Sequence, residues 1–486
     1  MPSRYSHLER RIAGEQQTFA RPLRSLLHGA PVVCDAERPI SEAAALMRVN
    51  DVGSLVVLDA GQRPVGIITS HDLVGALADG AAALRVAERM TRAPVALPAH
   101  ALAYEAALAM LSRRIRHVLV MDDGQLLGVV SERDLFSLQR LGVGEVTMEI
   151  RLAPEIGTLA EIAAEIRKLT TGMVENGVAA EQLTALVSVL NDCLSHRAIE
   201  IVRKRHELER ISWCWLAFGS EGRLEQTYSS DQDNGLLFTA HDDAPPARVR
   251  ERLLPFAREV NQALDACGFA LCKGNVMASN PQLCLSLQEW RAKMAGWIES
   301  SVPKALLDAA ICFDFRPIYG DDSLAEQLRL RVGELVRQHP VFLRHMAENA
   351  LQTQPALGRL GGFATGDAPR GEGTIDLKAQ GARIFVDVAR IFALAHAIPR
   401  TSTAERLREA QAALGMSDAE TRAAVDAFFV VQAARLRLQA RMQGPGASLQ
   451  NRVDPARLGR LEATLLKEAL RVARELQDRL ALDYQL

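Results

Sequence analysis

The sequence predicts a multidomain α/β plus all-α protein. Three observations predict it: a strand and helix pattern that occurs twice near the N-terminus, an apolar strand broken at a glycine-serine turn near the middle, and helical periodicity over the last third. With 486 residues the chain should hold about three domains at roughly 100–200 residues each. Hydrophobic residues make up 48% and charged residues 24%, which fits a folded soluble protein and excludes collagen-like, disordered and disulfide-scaffold classes. The formal net charge is -2, so no global field favours nucleic acid or an anionic membrane, and any phosphate binding must be local. Aromatic content of 5% also argues against a stacking surface for single-stranded nucleic acid. The seven cysteines include no CxxC pair and read as buried thiols of a reducing compartment. The N-terminal stretch is too polar for a signal peptide, and no uncharged apolar run approaches the roughly 18 residues of a membrane span. A cytoplasmic protein with neither nucleic acid nor membrane as partner is expected.

Residues 1–21 read as a helical segment. Beyond it, GSLVVLDAGQRPVGIITSHDL at 53–73 is echoed by IRHVLVMDDGQLLGVVSERDL at 115–135, so that Gly66 maps to Gly128 and Asp72 to Asp134. Upstream, ISEAAALM at 40–47 is echoed by AYEAALAM at 103–110. Each copy reads as an amphipathic helix, a strand, a turn at Asp-Ala-Gly or Asp-Asp-Gly, a second strand and a capped helix. In the shared string from glycine to aspartate, Thr69 or Ser131 can cap the following helix and bond a phosphate. Asp72 or Asp134 can accept from ribose hydroxyls. This layout resembles a tandem CBS pair over residues 22–140, which implies an adenine nucleotide effector between the copies and a homodimer formed through the pair. His71, Arg116, His117 and Arg133 favour an anionic ligand. The same Thr69 and Ser131 also serve as plain helix caps on a dimerisation platform.

Residues 141–205 read as a helical connector, with apolar positions such as Leu159, Ile162, Ile166 and later Leu183, Leu186, Val187 and Leu190 at helical spacing. Asn191 and Asp192 fall within it as solvated or structural polar residues.

The segment ISWCWLAFGSEGRLEQTYSSDQDNGLLFTA at 211–240 carries the chemistry. It opens as an apolar strand, breaks at Gly219-Ser220, passes through Gly222 and Arg223, and resumes as a strand bearing Asp231 and Asp233. Residues two apart on a strand share a side, and two carboxylates there repel unless a cation sits between them. Mg²⁺ takes oxygen ligands of this kind, and the glycine-serine turn with Arg223 offers donors to a phosphate chain. The strings GSxGRxE and SDxDxxLL, formed by Gly219, Ser220, Gly222, Arg223, Glu225, Ser230, Asp231, Asp233, Leu236 and Leu237, resemble the nucleotidyltransferase superfamily. Within it they are most similar to the uridylyltransferases that modify the PII protein. That resemblance implies a mixed-sheet core over 206–325, an NTP substrate with Mg²⁺, and a protein or small-molecule hydroxyl as acceptor. It also implies a third carboxylate from a later strand, for which Asp314 in AAICFDFRPIYG is the candidate metal ligand and catalytic group. An internal salt bridge with Arg316 accounts equally for Asp314. Lys273, Asn275, Ser279 and Asn280 in LCKGNVMASNP are candidate nucleotide contacts, or members of a plain polar loop.

Residues 326–486 read as a helical bundle, with Leu458, Leu461, Leu465, Ala469, Val472, Leu476 and Leu480 along one apolar face. A glycine-rich loop at 357–376 carrying Arg359 and Arg370 interrupts it. The chain resembles CBS-fused nucleotidyltransferases along nearly its whole length. That resemblance makes the bundle a substrate-binding domain, with Lys378, Gln380 and Arg383 as candidate contacts. No hydrolase region is recognisable: His71-Asp72 lies in the repeat and His241-Asp242 in a polar turn. The expected activity is therefore nucleotidyl transfer modulated by adenine nucleotides. The alternative is a non-catalytic CBS sensor on a degenerate transferase scaffold.

Overall fold

The structure, a computed structural model, describes residues 22–27, 29–50, 52–78, 84–113, 115–131, 142–175, 177–228, 231–240, 245–300, 310–358, 361–364, 373–442 and 450–486. The chain divides into two compact units, Met1–Glu145 and Val146–Leu486; the helical segment expected over 1–21 lies outside the described residues.

The first unit is the tandem pair. One repeat comprises β1 (Val33–Asp35), the helix Ile40–Val49, β2 (Ser54–Leu58), β3 (Pro64–Thr69) and the helix Ser70–Ala78. After the short β4 (Thr91–Arg92), the other comprises β5 (Ala96–Pro98), the helix Ala103–Arg113, β6 (His117–Asp122) and β7 (Gln125–Ser131). β1 runs parallel to β2 and β2 antiparallel to β3, and β5, β6 and β7 repeat that pattern. The turn before β7 places Asp123 and Gly124 at φ 45° and 80°, the geometry of a tight hairpin turn.

The two copies exchange their leading segments. Leu23 and Arg24 donate backbone N–H bonds to the carbonyls of Ala101 and Ala99 in the second copy. Val86 and Ala87, which lead the second copy, donate to Arg38 and Ala36 in the first. The glycines shared by the two copies are explained by this exchange: a Cβ on Gly128 would strike the Leu27 side chain, and one on Gly66 the Met90 thioether. Val56, Ile67 and Leu119 join the two sheets in one apolar cluster.

The second unit opens with the helices Ile156–Glu175 and Ala180–Arg203, whose buried Leu159, Ile162, Ile166, Leu183, Val187 and Leu190 follow the expected period. A mixed four-stranded sheet follows in the order β10 (Cys284–Ser286), β9 (Asn234–Phe238), β8 (Trp213–Ala217) and β11 (Arg316–Gly320). β10 is parallel to β9, and the other neighbours are antiparallel. Every residue of β8 and β9 is buried, as the apolar run of β8 and Leu236–Phe238 of β9 require. The helices Asp322–Gln338, Pro340–Leu351, Arg383–Ala395, Thr403–Leu414, Asp418–Arg441 and Arg460–Tyr484 complete the unit. One hydrophobic cluster runs from Cys214 and Leu216 on the sheet to Leu476 and Leu480 on the last helix, so sheet and bundle share a core.

The last helix turns differently from expectation. Leu461 and Leu465 are exposed, and the buried face is Leu466, Ala469, Leu470, Ala473, Leu476 and Leu480. All seven cysteines are free thiols, and Cys34, Cys214, Cys267, Cys284 and Cys312 are buried. Among the described residues no helix is long and apolar enough to cross a membrane.

Candidate active site

The site is built at the ends of β8 and β9. After β8 the chain turns at Gly219 with φ +54° and makes a single helical turn, Gly219–Gly222. The N–H groups of Gly222, Arg223 and Glu225 are satisfied within this turn by the carbonyls of Phe218, Gly219 and Ser220. Asp231 and Asp233 precede β9 instead of lying on it, because β9 begins at Asn234. Their backbone is nevertheless extended and bonded at each step: Gln232 donates to Ala270, Phe218 to the carbonyl of Asp233, and Asn234 to Val276. Burial alternates accordingly. Gln232 and Asn234 point inward and bond Asn261, while Asp231 is exposed and Asp233 half-buried on the other side.

Glycine at 219 is required by this geometry. A Cβ there would stand 3.0 Å from Asp233 Oδ2 and 2.9 Å from Ile311, in a backbone conformation that L side chains rarely adopt. Burial pushes the Asp233 carboxyl up to about 6; Asp231 adds to the rise, whereas a hydrogen bond from the Cys272 thiol and the charges of Lys378 and Arg223 oppose it. Among the described residues neither Asp231 nor Asp233 forms an ion pair. Cys272 lies in the loop that also carries Lys273 and Asn275, both exposed, with Asn275 at φ 54°. Asn280 is used structurally, its amide donating to the Asn275 carbonyl at 2.9 Å, and Ser279 N–H is held by Asn261.

Asp314 does not join this pair. It caps the single turn Ile311–Phe313, ahead of β11, and is fully buried among three guanidiniums. Arg390 grips it through both oxygens at 3.0 and 2.7 Å, Arg406 at 2.6 Å and Arg223 at 2.7 Å. Burial alone would raise its carboxyl; Arg390, Arg406 and Arg223 overcome that and hold it far below the usual carboxylate range. The expected third metal ligand is therefore corrected: Asp314 is the anion of an internal cluster, with no lone pair turned to an ion. Arg316 is not its partner either. That guanidinium bonds Asp192 at 2.6 Å and the Glu221 carbonyl at 3.0 Å, fastening the Gly219–Gly222 turn to the helix Ala180–Arg203. Arg223 is likewise corrected from a triphosphate contact, since it is committed to Asp314 and to Glu225 at 2.8 Å.

Gly222 belongs to the same construction, because a Cβ there would overlap the Asp314 carbonyl oxygen. Glu225 reaches the bundle, accepting from Thr403 N–H at 2.6 Å. Sequence reasoning missed Arg390 and Arg406. Arg390 sits in the apolar run RIFVDVARIF, and a charge on the buried face of such a helix signals a buried partner.

In the first unit, Thr69 and Asp72 close on each other. Thr69 N–H and Oγ1 donate to Asp72 Oδ2 at 2.8 and 2.7 Å, and Asp72 N–H returns to Thr69 Oγ1 at 3.4 Å. This is a reciprocal helix cap. Ser131 ends β7 opposite His117. Asp134, Arg133, Ser230, Arg359 and Arg370 lie outside the described residues.

Two carboxylates beside a glycine turn suit one hard cation that draws its remaining oxygens from phosphate and water. Among the described residues no group of three or more metal-ligating side chains is assembled.

Comparison with known proteins agrees with this layout. Residues 164–304 match the family described as "Putative nucleotidyltransferase DUF294", and residues 340–484 match "Putative nucleotidyltransferase substrate binding domain". Residues 23–79 and 86–140 each match the CBS domain. A 17.7 kDa protein of Acidianus ambivalens is 37% identical over 97 residues, 20% of this chain and 59% of that protein. The chain thus spans less than two thirds of this curated relative. A CBS domain protein from Pyrobaculum aerophilum complexed with AMP is 27% identical, covers 26% of this chain and 99% of its own, and has a TM-score of 0.24. A CBS-domain protein from Agrobacterium tumefaciens is 29% identical with a TM-score of 0.24, covering 25% of this chain and 96% of its own.

Proposed function

The chain belongs to the CBS-fused putative nucleotidyltransferase family, and on that premise we propose that it moves a nucleoside monophosphate from an NTP to an acceptor hydroxyl, with Mg²⁺ and in the manner of the PII-modifying uridylyltransferases. The observation that carries this reading is the Asp233 carboxylate seated against Gly219 with Asp231 on the same side and no ion pair to either among the described residues. Asp231 and Asp233 would hold Mg²⁺. When bound, that ion neutralises charge on the triphosphate and on the departing pyrophosphate.

The chain's own residues do the rest. The Gly219–Gly222 turn, fixed from beneath by Arg316 and Asp192, sets Ser220 at the strand end where a phosphate would lie. Lys273 and Asn275 border the same site from the Cys272 loop. In the transfer the acceptor oxygen bonds the α-phosphorus, the bond from that phosphorus to the bridging oxygen breaks, pyrophosphate departs and the hydroxyl proton goes to solvent. Asp314 takes no part in that proton transfer, because its lone pairs are engaged by three arginines.

One observation favours the alternative of a non-catalytic sensor: the carboxylate expected to complete the metal site is sealed away. Incubating the protein with Mg²⁺, α-labelled NTPs and cell lysate separates the two. Transfer that disappears in Asp231→Ala and in Asp233→Ala supports the enzyme; no transfer by the wild-type chain, or transfer that survives both substitutions, defeats it.

A further inference from the structure

The bundle contributes cations beyond those that neutralise Asp314. The guanidiniums of Arg390, Arg406 and Arg435, which are buried, and of Arg223, which is partly so, outnumber the carboxylates they contact, Asp314, Glu225 and Asp387. Arg435 is the one left over. It donates only to neutral oxygens, to Gln432 at 2.6 Å, Asn451 at 3.0 Å and Thr227 at 3.5 Å. Among the described residues it has no carboxylate partner, although it is 7% exposed. Only the more distant charges of Asp376 and Glu225 offset it, and a buried cation so weakly compensated biases its surroundings toward an anion.

Asn451, which holds Arg435, also accepts the N–H of Leu377 through its carbonyl at 2.9 Å. That bond opens a π-helical turn, Lys378–Ala382, a form rare enough to mark functional positions. The turn is fixed from several sides. Asp376 Oδ1 accepts from the N–H groups of Lys378 and Ala379 at 2.9 Å each, and Gln380 Oε1 accepts from Asp376 N–H at 3.0 Å. Gly381 packs so closely that a Cβ would stand 2.9 Å from Val431. From this rigid base the Lys378 side chain is exposed, and among the described residues its ammonium meets no carboxylate within ion-pair distance. The backbone on the opposite side of Arg435, at Thr227, leads within four residues to Asp231.

We propose that Lys378, carried on the π turn of the helical bundle, is a phosphate-binding residue of the transferase site, so that the bundle completes the NTP triphosphate grip and not only an acceptor surface. Arg435, through Asn451, holds the backbone that opens the turn. This inference rests on the transferase reading and assigns a phosphate contact in addition to Arg223, whose Nε and Nη1 are engaged by Glu225 and Asp314.

The test uses the full chain and a base-free probe, inorganic tripolyphosphate with Mg²⁺, followed by titration calorimetry on wild type, Lys378→Ala, Lys378→Arg and Asp233→Asn. A charge-assisted contact of this kind implies a loss of about tenfold in affinity in Lys378→Ala, with most of it restored in Lys378→Arg. The thermal midpoint should be unchanged, because Lys378 contributes only its backbone to the turn. Binding that weakens in Asp233→Asn but is equal in wild type and Lys378→Ala overturns the proposal and leaves the transferase reading standing. Binding indifferent to both substitutions, or absent from the wild type, overturns both. A loss in Lys378→Ala that arginine does not restore and that accompanies a lowered midpoint assigns the lysine to folding, against the proposal.

Discussion

At the scale of single residues, two buried carboxylates of the same domain meet opposite fates. Asp314 is ionised and silent because guanidiniums surround it, and removing one member of such a buried set commonly costs about 3–5 kcal/mol by leaving the others unpaired. Glu221, in the glycine-serine turn, is buried without that compensation. Burial, then the nearby charges of Asp192 and Asp233, push its carboxyl from 4.5 up to about 8, against the pull of Arg316. The folded protein therefore retains a proton that the unfolded chain has released, and its stability falls as pH rises from about 4.5 towards 8. Replacement by glutamine, which cannot ionise, should flatten this slope: the thermal midpoint of Glu221→Gln is expected to drop less than that of the wild type between about pH 5 and pH 8. Equal slopes in the two proteins would show that Glu221 is not held protonated.

At the scale of elements, the Gly219–Gly222 turn is defined by what lies behind it. Gly222 touches the Asp314 carbonyl, Arg316 holds the Glu221 carbonyl, and Gly219 admits the Asp233 carboxylate. Gly222→Ala is expected to displace the turn from Asp314, because the obstacle is backbone and cannot rotate away. Loss of Mg²⁺-dependent triphosphate binding, read by calorimetry, together with a lower thermal midpoint, is the expected result; an unperturbed variant would mean that the turn has slack. The turn's glycines were legible in the sequence as a motif, and so was the pairing of Asp231 with Asp233, because an extended backbone alternates sides. The Asp314 cluster was not. Its three arginines come from positions 223, 390 and 406, and no local pattern links residues so far apart in the chain. In the CBS pair the repeated glycines at 66 and 128 give room to the Met90 and Leu27 side chains, a role that no local pattern announces.

At the scale of the whole molecule, the four-stranded sheet and the helical bundle share one apolar core, and the CBS pair forms a compact unit of its own. A regulatory role for the pair requires that it bind an effector. Thr69, Asp72, Ser131 and Asp134 are the proposed contacts for an adenine nucleotide. Calorimetry of the full chain with ATP, ADP and AMP should show binding that weakens when Asp72→Ala and Asp134→Ala are combined. Absence of binding, or binding indifferent to that pair, would reduce these residues to the helix-capping role that Thr69 and Asp72 visibly perform.

The sequence by itself determined the repeat, the strand and helix periods, the glycine-serine turn and the two neighbouring carboxylates, because each is a pattern within a few consecutive residues governed by local backbone geometry. Only the tertiary structure decided which charges neutralise one another. It turned Asp314 and Arg223 inward, gave Lys378 no ion pair among the described residues and buried Arg435 among neutral oxygens, because a low-dielectric interior makes ions find their partners in space, regardless of distance along the chain.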